Sequence, residues 1–208
     1  MRADSAAAAM RRAISAGEYA PGEQLIEAEM VEKLTVSRNT LREAFAMLVA
    51  DGLVERIRNR GVFIAQFGAA EIRDLYLARA AIEPAALAWG EQQDVDKLDE
   101  AVTLAEAALA AGRHADVATA NQQFHRQIVA GMGSATLDET MDRLLARMRL
   151  VFLQVLQREP GFHGDYVGLN RRVVTLLSAG RHSDAAEALH HSLAQTSRRV
   201  QEIIAQGT

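Results

Sequence analysis

SRNTLREAFAMLVADGLVERIRNRGVFIA, residues 37–65, divides by its own chemistry into a helix, a stop and a hairpin. Ser37 suits a helix N-cap, because its hydroxyl accepts from a backbone N–H two or three residues later. Leu41, Phe45, Leu48 and Val49 then share one helical face, while Arg38, Asn39 and Arg42 sit near the helix start and off that face. Asp51-Gly52 stops the helix. Two strand-like runs follow, Leu53 to Ile57 and Val62 to Ala65, joined by Arg58-Asn59-Arg60-Gly61 at a basic tip. Helix, stop and basic hairpin together predict a winged helix.

The residue types suit double-stranded DNA. A helix N-terminus in the major groove offers backbone N–H groups to phosphate, an arginine fork matches a guanine edge, and Asn39 matches adenine in the same way. A wing entering the narrow minor groove needs small and basic residues, which Gly61, Arg58 and Arg60 supply. For any one arginine the plainer reading is a solvated helix face; the ordered set argues for DNA.

Working outward, the 208 residues have room for two small domains, expected at 1–66 and 69–208. No apolar run approaches the roughly 18 residues of a membrane span, and the alanine-rich start lacks a signal-peptide core, so a cytoplasmic protein without membrane contact is expected. The absence of cysteine excludes disulfides, thiol catalysis and cysteine-ligated zinc. A net charge of -4 argues against a general nucleic-acid coat. Locally the balance inverts: residues 37–66 carry five arginines against three acids, whereas from Phe67 onward 14 basic residues face 18 acidic ones. That split fits one face on DNA and one domain with another task.

Before the opening stretch, Ser5 to Ala16 reads as a first helix with Met10 and Ile14 inward and Arg11 and Arg12 toward solvent or phosphate. Tyr19-Ala20-Pro21-Gly22 reads as a turn, Ile26 to Leu34 as a second helix, and Thr35-Val36 as a tight connection. After it, six helical segments are predicted: Ala69 to Gln92, Asp94 to Ala111, Asp116 to Ala130, Thr136 to Gln157, Tyr166 to Ala179 and Ser183 to Ala205. Glu159-Pro160-Gly161 breaks the fourth from the fifth. The fold class is therefore mainly α: a winged helix-turn-helix of three helices plus a β-hairpin wing, then an all-α antiparallel bundle.

The opening stretch resembles the recognition helix and wing of GntR-type bacterial regulators, whose usual form is SRTPVREALRRLEAEGLV followed by a basic, glycine-containing wing. GEYAPGEQL, Gly17 to Leu25, is similar to that family's loop between its first two helices. The resemblance implies DNA contacts at Ser37, Arg38, Asn39, Arg42 and Gly61, beside Arg58 and Arg60 of the wing and Thr40. Asn39 replaces the family's usual threonine and Thr40 its proline, so the expected base preference departs from the usual operator. Further on, DLYLARAAIEP (Asp74 to Pro84), NQQFHRQIV (Asn121 to Val129) and LNRRVVTLLSAG (Leu169 to Gly180) resemble the FCD domain, the ligand-sensing half of the FadR branch of these regulators.

In most FCD domains an aspartate and three histidines hold a divalent metal, and an arginine of the first helix helps hold a carboxylate effector. The matching positions here are Asn121, His125, Asn170 and Ser192, with Arg79 as the arginine. Only His125 survives of the four ligands, and amides with a hydroxyl make a poor zinc or nickel site, so no cofactor is expected, a divalent zinc or nickel ion being the alternative. His190 and His191 turn away from Ser192 on the same helix, and His114, His163 and His182 fall near helix ends. The four polar positions with Arg79 are expected either to close on themselves or to hold a small organic acid, with Glu83 as the arginine's internal partner. The implied function is a homodimeric, ligand-responsive transcriptional regulator, by the family's habit a repressor, on a palindromic operator. The alternatives are a ligand-independent DNA-binding dimer with a vestigial pocket, and an enzyme using His125 as base; the latter lacks a triad or a close pair of acids around that histidine.

Overall fold

A computed structural model describes residues 2–206 apart from 160 and 163, so the predicted break at Pro160 and the histidine at 163 lie outside the described residues. The chain forms two compact units. One runs to Phe67 and also takes in Ala146–Gln154; the other comprises Gly68–Leu145 and the chain from Val155.

The first unit contains α1 (Ala3–Ala16), β1 (Gln24–Leu25), α2 (Glu27–Leu34), α3 (Arg38–Ala50), β2 (Val54–Ile57) and β3 (Gly61–Ile64). Ser37 caps α3 as its chemistry requires, its Oγ accepting from Thr40 N at 3.1 Å. Leu41, Ala44, Phe45 and Leu48 form the buried face of α3, while Val49 stays exposed. The α2–α3 turn rests on Thr35, which holds φ 54° while its N–H donates to Glu32 O and that of Val36 to Val31 O. The hairpin pairs Val54 with Ile64 through to Ile57 with Gly61. β1 adds a strand on the far edge of β3, with Gln24 opposite Phe63 and Leu25 opposite Val62. Two residues are too short to show alternation, so this strand is a product of tertiary pairing rather than of local pattern. Met10, Ile14, Leu25, Leu41, Phe45, Leu48, Leu53 and Ile64 close the core together with Leu150.

The second unit is helical: α4 (Ala69–Trp89), α5 (Val95–Ala110), α6 (His114–Ala130), the first part of α7 (Ala135–Leu156), α8 (Gly164–Ser178) and α9 (His182–Ala205). Caps fall where the sequence supplies them: Asp94 accepts from Lys97 N, and Ser134 from Leu137 N. Glu71 reaches back to Gly68 N–H at 2.7 Å. α4 packs along α9, α5 along α6, and α8 against both α9 and α5. Arg171 fastens α8 to α5 with a fork on Glu106, Nε at 2.9 Å and Nη2 at 2.8 Å, and a further bond to Asp99.

Candidate DNA interface and ligand site

The candidate DNA-reading face comprises the start of α3 and the wing. Arg38, Asn39 and Arg42 are exposed there, and Ser37 is committed to capping, with its hydroxyl also 2.9 Å from Thr40 Oγ1. Asn39 Nδ2 donates to Glu43 at 2.8 Å and Arg42 lies 3.5 Å from Glu27, so each must change partner to meet a base or phosphate. At the wing tip Arg60 N donates to Ile57 O at 3.0 Å, with Asn59 at φ 61° and Gly61 at φ 111°. Arg58 and Arg60 are exposed, and the Arg60 guanidinium lies 5.4 Å from the Phe63 ring centroid. Gln24 of β1 steadies this tip by donating to Arg60 O at 2.7 Å. Nothing in the local sequence marks Gln24, because its role depends on strand pairing across 36 residues. Arg11, read as facing solvent or phosphate, instead bonds Asp51, with Nε and Nη2 each 2.7 Å from Oδ2.

In the helical unit, Tyr76, Arg79 and Glu83 follow one face of α4 at i, i+3 and i+7, and all three are buried. Glu83 is the hub: Arg79 Nε donates to Oε1 at 2.6 Å, and His125 Nδ1 of α6 lies 2.6 Å from Oε2. Burial pushes Glu83 upward, but the Arg79 guanidinium and His125 outweigh it and hold the carboxyl at about 2. Burial lowers His125 by more than Glu83 raises it, leaving the imidazole neutral at pH 7, so Nδ1 carries the proton that Glu83 accepts and Nε2 is an acceptor. Burial also opposes the charge on Arg79, yet Glu83, by its charge and its hydrogen bond, and the ionisable Tyr76 hydroxyl hold its pKa above the usual value; burial raises the Tyr76 hydroxyl. Two buried donors on this face, Arg79 Nη2 and Tyr76 Oη, have no hydrogen-bond partner among the described residues. The guanidinium carbon lies 5.3 Å from the Tyr76 ring centroid. Tyr76 was not anticipated from sequence, although its spacing three residues before Arg79 carried the signal.

The remaining positions close differently. Asn170 Nδ2 of α8 donates to Asn121 Oδ1 of α6 at 2.7 Å, so the two amides satisfy each other. Ser192 lines a groove of about 440 Å³ between α8 and α9 with Leu169, Arg172, Leu176 and His191. His190 is exposed and His191 Nδ1 is 3.1 Å from Glu187 O; His114 and His182 are the first residues of α6 and α9. The FCD metal does not fit this donor set: one imidazole is turned onto a carboxylate, two amides are bonded together, and the fourth group is a hydroxyl. Among the described residues no group of three or more His, Asp or Glu side chains is placed to hold a metal ion. Likewise no described helix is long and apolar enough to cross a membrane.

Comparison with known proteins finds two families in succession along the chain. Residues 2–64 match the model of the bacterial regulatory proteins of the gntR family, and residues 74–195 match the FCD domain. An uncharacterized HTH-type transcriptional regulator of Agrobacterium vitis, from the TAR-I ttuE-ttuC' intergenic region, is 34% identical over 62% of this chain and 80% of its own length. The HTH-type transcriptional repressor GlaR of Escherichia coli is 31% identical over 70% of this chain and 71% of its own. The galactonate operon transcriptional repressor of the same organism is 26% identical over 90% and 91%. In structure, a protein of Rhodococcus sp. RHA1 described as a GntR regulator superposes with a TM-score of 0.88 at 33% identity, covering 95% of this chain and 96% of that one.

Proposed function

The chain belongs to the GntR family of bacterial regulatory proteins and carries an FCD domain, and from that we infer how its two units divide the work of a transcriptional regulator. The observation that carries the DNA-reading half is the Ser37-capped α3, whose exposed Arg38 opens onto the same unit as the Arg58–Gly61 wing tip. The start of α3, with Arg38, Asn39, Thr40 and Arg42, reads the major groove, while Arg58 and Arg60 enter the minor groove beside Gly61. The operator is palindromic and the protein binds it as a homodimer, which in the proposed regulatory sense represses. Dimerisation is supported by α4, where Leu77 is 57% and Trp89 75% exposed along a small-residue face with Ala81 and Ala85.

The helical unit binds a small organic acid. Arg79 Nη2 and the Tyr76 hydroxyl, buried donors without partners, support this, as does the naming of one relative for a galactonate operon. Arg79 and Glu83 already cancel in charge, so a carboxylate enters with a proton taken up by His125, and affinity rises as pH falls. The 2.6 Å Arg79–Glu83 pair also favours a second reading, a ligand-independent regulator in which the cluster is purely internal.

Thermal unfolding of wild type across a panel of hydroxylated organic acids separates the two. Under the sensor reading one acid raises the melting temperature, by an increment that grows at lower pH, and Tyr76→Phe weakens the response. No shift across the panel favours the internal cluster, and metal analysis of untagged protein near one zinc or nickel per chain would overturn the absence of a metal.

A further inference from the structure

Helix α3 ends in a Schellman cap: Leu53 N donates to Leu48 O at 3.0 Å and Gly52 N to Val49 O at 2.9 Å, with Gly52 at φ 69°. The carbonyl of Asp51 lies outside that ladder, and Arg147 Nε of α7 donates to it at 2.8 Å. α1 ends in the same way, with Glu18 N on Ala13 O, Gly17 N on Ile14 O and Gly17 at φ 81°. There the leftover carbonyl of Ser15 accepts from Arg149 Nε at 2.8 Å. Two arginines, two residues apart, therefore each place a cation against the negative end of a helix.

Ala146–Gln154 is part of the DNA-reading unit although it lies within the FCD match. Leu150 is fully buried in the core with Phe45 and Leu48, and Gln154 brackets Phe67, accepting from its N–H at 3.0 Å and donating to its carbonyl at 3.4 Å. Arg149 is 6% exposed and, among the described residues, its Nη1 has no partner and no carboxylate pairs with the guanidinium, so burial disfavours this charge. Arg147 is tied to a more telling place. Asp51 is held twice, its carboxylate by Arg11 and its carbonyl by Arg147. The Arg147 guanidinium also lies over Gly52, where a Cβ would meet Nε at 2.6 Å. Asp51-Gly52 is the only link between the end of α3 and Leu53, which leads into β2.

We propose that Arg147 is a positioning residue for operator recognition: without touching DNA, it fixes through Asp51 and Gly52 the angle between the recognition helix and the wing. Both elements must reach their grooves at once, so a change in that angle costs matched contacts while leaving general attraction to phosphate intact. The proposal rests on the assignment of α3 and the wing to DNA. Arg149 is its internal control, since it caps α1 and not the α3–wing junction.

The test uses full-length protein, a duplex selected by wild type from a random-sequence pool, and a scrambled duplex of equal length. Arg147→Ala is expected to weaken binding of the selected duplex roughly tenfold, the factor one charge-assisted hydrogen bond represents, with the scrambled duplex bound as before. Arg147→Lys, which keeps a donor, recovers part of the loss. Arg149→Ala lowers the melting temperature but leaves the selected-to-scrambled ratio unchanged. Should Arg147→Ala not fold, Arg147→Lys alone decides, with a ratio below wild type expected. A wild-type ratio in the Arg147 variants, or an equal fall in Arg149→Ala, overturns the proposal. Failure of wild type to select any duplex is a separate outcome that removes the DNA assignment itself.

Discussion

In the DNA-reading unit Arg38, Arg58 and Arg60 stand exposed, and Arg42 faces Glu27 across 3.5 Å in solvent; in the helical unit Arg79 is 2% exposed and its Nε is 2.6 Å from a carboxylate that is wholly buried. The same side chain therefore does opposite things. On the exposed face water and salt screen the charge and the guanidinium keeps its freedom; under the proposed function its value appears when phosphate or a base edge replaces water. Inside the bundle the charge is acceptable only because Glu83 neutralises it, and Glu83 in turn has two donors. A screened arginine remains available to a partner outside the chain, while a desolvated one is answered first from within.

The largest effect expected from this contrast is on stability. Glu83→Gln strands the Arg79 cation, and urea unfolding should register a loss of about 3–5 kcal/mol, whereas Glu27→Gln beside Arg42 should lose less than about 1 kcal/mol. Equal losses would break the comparison. Acid should probe the same cluster. His125 and Glu83 both have folded pKa values below their ordinary 6.5 and 4.5, so unfolding takes up protons at each. Stability is then full above about pH 6.5, declines as His125 protonates in the unfolded chain, and declines again below about 4.5 toward 2. Glu83→Gln should remove the lower step when melting is followed against pH.

An intermediate effect belongs to the reading face. Arg38→Ala should leave urea unfolding unchanged within about 0.5 kcal/mol, as an exposed substitution does, and weaken operator binding by roughly 1–3 kcal/mol with relaxed sequence preference. Arg58→Ala should weaken selected and scrambled duplexes alike and flatten the salt dependence if it meets only phosphate. Binding titrations at two salt concentrations distinguish these roles. The smallest effect is conformational. Thr35 holds a left-handed φ of 54° at an exposed turn, so Thr35→Gly should stabilise by up to about 1 kcal/mol in thermal melts; a loss would mean its side chain contributes more than the strain.

Elements with local causes were legible in the residues. Ser37 capping α3, the apolar face Leu41-Phe45-Leu48, the wing turn around Gly61 and the succession of helices all follow from interactions within a few positions. The Arg79–Glu83 pair was legible as one of two partners, since four residues bring side chains together on a helix. Asn121 and His125 match two ligand positions of one FCD site, but the structure sends them to different partners, Asn170 for one and Glu83 for the other.

What the sequence by itself determined is thus the helices and the β2–β3 hairpin of the first unit and the helical make-up of the second, because periodicity, capping and turn chemistry act at short range. Tertiary structure alone decided that β1 joins β3, that Arg11 pairs with Asp51, that Glu83 also bonds His125, and that Arg147 reaches Asp51 across 96 positions. The physical reason is common to these cases. A hydrogen-bonding group names the kind of partner it needs but not its place in the chain, and only burial, by removing water as the competing partner, forces the choice.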